Sequence, residues 1–301
     1  MDGPQTEARE RAQAAYRRFL QAAERYPDLL SAIASVLTPD CRIHVQNGDV
    51  VGPEESERHS MFAVTAFPDL AITIEDVFFP AGRFVLQVQA EGSAGPNVPF
   101  LPPGYRFVAH GCAVGTGDAT GLIDELWMYV NPGFAFSFPG SGVRVDPPPP
   151  DGAGHEEATT LYREWMRRAE ADGDLVRAIT STMAADGVVH LGNGDVGGAY
   201  LLDDLFARIL DGMPDLTIGI EDVLLEDSRV VVQFTMTGTH LGPIGQWSPS
   251  GRPLPSIGAI IARADRNAEA AELWVYVAPA YSVTLPPQSS GASGSSDAQP
   301  S

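Results

Sequence analysis

Two acidic residues recur in this chain with the same neighbours and the same spacing. Asp49 lies in DCRIHVQNGDV (40–50) and Asp195 in DGVVHLGNGDV (186–196), while Glu75 lies in PDLAITIEDV (68–77) and Glu221 in PDLTIGIEDV (214–223). Each glutamate follows its aspartate by 26 residues. A carboxylate in an Asn-Gly turn, among backbone N–H donors, is expected to stay ionised, and one among apolar strand residues to be pushed toward its protonated form. Together they would supply a general base and a general acid. Ala71 and Thr73 in one copy, and Thr217 and Gly219 in the other, are small residues that leave room for a pocket beside the glutamate. Tyr129 and Tyr276 recur in ELWMYV (125–130) and ELWVYV (272–277), on one strand face with Trp127 and Trp274 and with Glu125 and Glu272. A tyrosine there is a hydrogen-bond donor if it reaches a polar pocket, and core or interface if it does not. Trp127, Trp274, Asn47, Asn193, Tyr16 and Tyr162 complete the candidate set as substrate-binding positions. The structural alternative is that Asp49 holds its turn and Glu75 stands in water on an edge strand.

Other chemistries are excluded by what the chain lacks. All 19 of its Lys+Arg residues are arginine, against 39 Asp+Glu, for a formal charge of −20. Schiff-base and lysine general-base chemistry are therefore absent. Nucleic acids and anionic membrane surfaces are not expected partners of so acidic a chain without clustered cations. His44 and His190 recur, but without HxH, HExxH or CxxC companions, so they read as packed strand residues and no metal or cofactor is expected. There is no GxSxG, and neither Cys41 nor Cys112 is repeated in the other copy.

The elements that must position these residues come in two sets. Tyr16 matches Tyr162, Phe19 matches Trp165, Arg83 matches Arg229 and Gln87 matches Gln233, all at an offset of 146; the ELW strands match at 147. A period of that size means two whole domains. Each reads as a helix, a second helical stretch (27–37; 174–183), a short strand (41–46; 187–191) and the NGD turn. Another helix (53–66; 199–212) and three strands (70–78, 83–91, 105–114; 216–224, 229–238, 254–263) precede the closing ELW strand. Helices followed by a run of mostly antiparallel strands indicate an α+β fold. The expected boundaries are domain one at 1–138, a proline-rich linker at 139–156, domain two at 157–284 and a disordered tail at 285–301. The polar, charged N-terminus and the lack of a long apolar run predict a soluble, cytoplasmic protein.

The order of helices, NGDVxG, FPDLxIxIEDV, RVVVQFTMTGTH and ELWVYV resembles the SnoaL-like branch of the NTF2-like, cone-shaped α+β superfamily. The likeness covers both copies and is stronger in the second, since SAGPNVPFLPPG replaces the TGTHxG segment in the first. A fused tandem with an Asp in the NGD turn and a Glu in the IEDV strand resembles the polyether epoxide hydrolases/cyclases. That resemblance implies opening of polyketide epoxides by internal hydroxyls to form tetrahydrofuran and tetrahydropyran rings, one closure per domain, as in ionophore biosynthesis. The substrate would be a polyketide bis-epoxide. The implied site residues are Asp49 and Glu75 in copy one and Asp195, Glu221 and Tyr276 in copy two, with Tyr129 the counterpart of Tyr276. The environments of the carboxyls suggest Glu as acid and Asp as base, with the opposite assignment left open by the sequence, and Tyr276 would help to bind the epoxide oxygen. Holding a folded chain in attack geometry would supply much of the acceleration.

Two other classes compete with this expectation. A SnoaL-like aldol cyclase or a ketosteroid-isomerase-like isomerase on the same fold needs only one carboxylate base. A non-catalytic NTF2-like module would use its sheets for binding or pairing, as an intramolecular pseudo-dimer or a homodimer.

Overall fold

A computed structural model describes residues 3–26, 28–45, 48–96, 98, 102–132, 145, 148–191, 194–197, 207–244 and 248–279. In copy one, α1 (Gly3–Ala23) and α2 (Leu29–Ala34) precede β1 (Leu37–Val45), β2 (Gly48–Val51), α3 (Gly52–Ala66) and β3 (Ala71–Phe78). Then come β4 (Phe84–Ser93), β5 (Arg106–Gly117) and β6 (Ile123–Pro132). Copy two repeats the plan with α4 (His155–Asp172), α5 (Leu175–Thr180), β7 (Met183–Leu191), β8 (Gly194–Gly197), β9 (Thr217–Glu226), β10 (Arg229–Thr237), β11 (Ser256–Ala264) and β12 (Ala270–Pro279). Residues 207–212 are helical where the last helix of copy two was expected. Helix α4 begins inside the expected linker, with Glu157 accepting the Gly154 N–H at 2.8 Å to cap its first turn.

Two six-stranded sheets result, ordered β2-β1-β6-β5-β4-β3 and β8-β7-β12-β11-β10-β9. They are mixed: β1 runs parallel to β6 and β7 parallel to β12, and the other neighbours are antiparallel. Each copy is the α+β unit that the NTF2-like resemblance implied. The second helical stretch is shorter than expected, because Asp28 and Asp174 cap it at the front and the chain leaves αR geometry soon after Ser35 and Ser181. The NGD segment is a hairpin rather than a free turn, with Gly48, Asp49 and Val50 already paired to β1.

Each sheet has an inner face covered by its own helices. In copy one Phe19, Ala15, Phe84, Leu86, Ile123 and Leu126 form that core; in copy two Trp165, Leu161, Val230, Val232, Phe234 and Leu273 do. The Trp165 indole N–H donates to Thr182 Oγ1 at 2.6 Å, which satisfies the one polar atom that this large buried ring carries.

The outer faces pack on each other. Phe78, Val85, Cys112, Val114 and Tyr129 of copy one form one apolar cluster with Leu224, Val231, Ala259, Ile261 and Tyr276 of copy two. Its polar atoms are satisfied reciprocally across the junction. Gln87 Nε2 donates to Tyr276 Oη at 2.7 Å, and Gln233 Nε2 donates to Tyr129 Oη at 2.5 Å. Arg83 pairs with Asp222 at 2.6 Å and Arg229 with Asp76 at 2.7 Å. Every residue in these four bonds has its counterpart in the other copy, so one sequence pattern written twice makes a pseudo-twofold interface. Some contacts depart from the symmetry: Glu226 accepts the Phe79 N–H at 2.5 Å and pairs with Arg9 at 2.7 Å, where copy one has Pro80 in its place, and Arg83 also donates to Gln233 at 3.0 Å.

Candidate active site

The repeated carboxylates do not converge. Asp49 is on β2 and Glu75 on β3, which occupy opposite edges of their sheet. Five strand spacings separate them, about 24 Å along the sheet. Asp195 on β8 and Glu221 on β9 are related in the same way in copy two. Strand order therefore sets each aspartate and its glutamate on opposite edge strands, which spacing along the chain does not reveal.

The glutamates also face outward. Glu75 is the extra residue of a β-bulge: Ile74 pairs with Val88 and Asp76 with the adjacent Gln87. Glu221 is its counterpart, between the pairs Ile220–Phe234 and Asp222–Gln233. A bulge resets the alternation of side chains. Val77 thereby joins Ile74 against the inner core, while Asp76 and Phe78 turn to the interface, where unbroken alternation would have placed Asp76 on the same face as Ile74. Glu75 is exposed and lies 3.6 Å from His110 Nδ1. Glu221 is exposed and accepts the Thr235 hydroxyl at 2.9 Å. The apolar surroundings expected of these two glutamates are missing.

Asp49 has a different partner from the one expected. Its Oδ1 lies 2.9 Å from His44 Nδ1 and its Oδ2 accepts from Arg42 at 3.0 Å. Across β6, His44 Nε2 lies 3.1 Å from Glu125 Oε1, and the imidazole stacks on Trp127 at 4.9 Å between centroids. Copy two repeats the arrangement in a sealed form: His190 Nε2 lies 3.1 Å from Glu272 Oε1, and His190 stacks on Trp274 at 4.8 Å. Arg263 donates to Glu272 at 2.7 Å and to the Pro148 carbonyl at 2.7 Å, so the end of the linker covers this pair. Backbone pairing sets Asp195 opposite His190, as Asp49 stands opposite His44. The Asp195 side chain, and Asn47 and Asn193 altogether, lie outside the described residues. His44, His190, Glu125 and Glu272 are thus functional-type residues that sequence reasoning set aside; their recurrence in both copies was the signal.

The tyrosines are corrected too. Tyr129 and Tyr276, each 2 % exposed, belong to the interface between copies, and their hydroxyls are engaged by Gln233 and Gln87. Burial raises the Tyr129 hydroxyl well above the usual tyrosine range, against the opposing hydrogen bond from Gln233. Neither is in position to hold an epoxide oxygen inside a cone. Trp127 and Trp274 sit beside them in the same cluster rather than in a substrate pocket. Tyr16 packs edge-on against Phe79 at 5.8 Å, and Tyr162 packs against the inner core of copy two.

Among the described residues, the inner cavity of the second copy exposes only carbon. A cavity between α5 and the inner sheet face is walled by Leu175, Val176, Ile179, Thr180, Ile218, Phe234, Ile260, Leu273 and Val275. Its volume is about 20 Å³, room for one water-sized group as it stands, and it is partly open to solvent. Near the end of β10 His240 is buried in the GTH segment that copy one lacks, with Nδ1 3.3 Å from Ser250 Oγ. Burial lowers its pKa below the ordinary histidine value. Among the described residues no cluster of three His, Cys, Asp or Glu side chains is placed to hold a metal, and no helix is long and apolar enough to cross a membrane.

The cavity lies within the stretch that has recognisable relatives. Residues 160–277 match the family of SnoaL-like polyketide cyclases. Among solved structures, AclR from Streptomyces galilaeus is 23% identical over 41% of this chain and 80% of its own, with a TM-score of 0.35. A SnoaL-like protein from Jannaschia sp. CCS1 is 21% identical over 43% of this chain and 89% of its own (TM-score 0.34). IdmH from Streptomyces antibioticus is 18% identical over 40% and 91% (TM-score 0.33). No curated protein sequence matches the chain at a significant level. The SnoaL-like match begins in α4 and ends in β12, and every wall residue of the cavity falls inside it.

Proposed function

We propose that the protein closes rings in a polyketide-type substrate, with the second copy as the chamber for the substrate's hydrocarbon part. The observation that carries this reading is the coincidence of the SnoaL-like match with an all-carbon cavity inside the same copy. Such walls take the end of an alkyl segment, a small group as they stand and more where a wall side chain gives way, and exclude water from it. The base in this scheme is Asp195, whose backbone stands opposite His190 as Asp49 stands opposite His44; His190 shares the sheet face of Trp274, so the reacting part of the substrate lies outside the cavity.

The finer reading, opening of epoxides by internal hydroxyls, draws its support from the duplication of both carboxylates and from the tandem plan. Strand order favours a closure that needs one carboxylate, an aldol-type step, because β8 and β9 stand at opposite sheet edges. The two are separated by incubating the full chain with a hydroxy bis-epoxide and, in parallel, with a linear poly-β-ketone, and identifying products by mass spectrometry. The expected result is ring closure of the polyketone, reduced about 100-fold by Asp195→Asn and kept within about threefold by Glu221→Gln. Cyclic ether from the bis-epoxide, lost in both variants, would restore the paired-carboxyl scheme. Turnover of neither substrate would leave the tandem as a binding module.

A further inference from the structure

One wall of the second copy's cavity is an aromatic ring for which its cross-strand neighbour makes room. Phe234 on β10 stands directly opposite Gly258 on β11. A Cβ at 258 would fall 2.2 Å from Phe234 Cζ and 2.7 and 2.8 Å from its two Cε atoms. The end of the ring therefore occupies the volume that any other residue at 258 would fill. From that position Phe234, itself 3% exposed, lines the cavity beside Ile218, Ile260 and Val275. Copy one keeps the glycine, as Gly111 opposite Val88, but has Val88 where copy two has Phe234 and Ala113 where copy two has Ile260. The platform is common to both copies and only its occupant differs.

We infer that Phe234 is a specificity-determining residue that limits the length of apolar chain the second copy admits. The inference rests on the proposed reading of this cavity as the substrate chamber. With about 20 Å³ of room beside the ring, a ligand that inserts more than a small group has to displace the ring or stop against it. The ring holds its place by packing alone, so a shorter side chain there converts its volume into space for ligand.

The test uses the full chain and a series of linear primary alcohols from butanol to dodecanol, titrated by calorimetry. In Phe234→Val, which installs the copy-one residue, the tightest-binding alcohol should be longer than in the unmodified protein, with affinity rising about fourfold for each further methylene that fits. Binding by the variant and none by the unmodified protein would also support the inference, the ring then closing the cavity completely. Phe84→Val is the control. Its ring covers Gly115 in the same way, with a Cβ there 2.1 Å from Cζ, but it belongs to the core of copy one and should leave the alcohol series unchanged. An unchanged chain-length preference in Phe234→Val, binding by neither protein, or an equal shift from Phe84→Val would overturn the inference. If Phe234→Val fails to fold, Gly258→Ala tests the same point, since its methyl drives the ring into the cavity and should shorten the longest alcohol bound. No shortening in Gly258→Ala overturns it equally. Alcohols that obey this pattern while no polyketide is cyclised would remove the cyclase reading and leave the role of Phe234 intact.

Discussion

At the scale of single residues, the repeated acids turn out to be partners of histidine and arginine. Asp49 holds His44, and Glu125 holds its other ring nitrogen; Glu272 does the same for His190 and is tied further by Arg263. Glu272 is 7% exposed, and burial works to raise its carboxyl pKa. Hydrogen bonds from His190 and Arg263 outweigh that effect and bring it below the ordinary glutamate value of 4.5. A depressed folded pKa contributes stability that is complete above the unfolded value and is lost as pH falls through the lower, folded one. Glu272→Gln should therefore cost roughly 3 kcal/mol near neutrality, by leaving Arg263 without its buried counter-ion. The difference from the unmodified protein should shrink as pH drops below 4.5. Urea melts across the acid range would show it, and a cost independent of pH would count against this account. The carboxylates, histidines and aromatics of these clusters were all visible in the repeat. Which of them touch was not, because pairing runs across β1, β2 and β6, and only β1 and β2 are close in sequence.

At the scale of elements, the hairpins show how far local sequence reaches. Asp118 accepts the N–H groups of Thr120 and Leu122, and Asp265 accepts those of Asn267 and Glu269, so both copies close their last hairpin with the same aspartate turn. Within that turn copy one has Gly121 at φ +77°, and copy two has Ala268 at φ +58°. An alanine there pays the steric cost of the left-handed region that glycine avoids. Ala268→Gly should stabilise the protein by up to about 1 kcal/mol, measured as a higher midpoint in chemical denaturation; a loss would show that the turn tolerates its alanine without strain. These turns are legible in sequence because their hydrogen bonds span four residues. The bulges at Glu75 and Glu221 were not legible. An IEDV strand reads as regular alternation, and only the partner strands β4 and β10, with no extra residue of their own, force the fold to set one aside.

At the scale of the whole molecule, the two copies are joined by their sheets as well as by their linker. Apolar packing provides the area, and the buried Gln–Tyr pairs fix the register, since leaving either partner unmatched costs about 1–3 kcal/mol; the half-exposed Arg–Asp pairs add charge complementarity at the rim. A protease site introduced into 139–144 should therefore allow the chain to be cut without separating the halves, which would elute together at the size of the intact protein. Reversing both Arg83→Glu and Arg229→Glu in the cut protein should release them, because like charges then face Asp222 and Asp76. Halves that part on cutting alone would mean that the linker, and not the interface, holds the tandem together. This pairing also explains why the outer-face tyrosines and tryptophans recur: both copies need the same surface because each is the other's partner.

Amino-acid order by itself determined the duplication, the α+β class and most element boundaries, since all three follow from periodicity, capping and identities repeated at a fixed offset. It also separated the copies, with GTH present in one and absent from the other. Tertiary structure alone decided which carboxylates are neighbours, which sheet face is buried by the other copy and which encloses a cavity. Those outcomes depend on strand order and on a one-residue bulge, and a shift of one residue in a strand moves every later side chain to the opposite face.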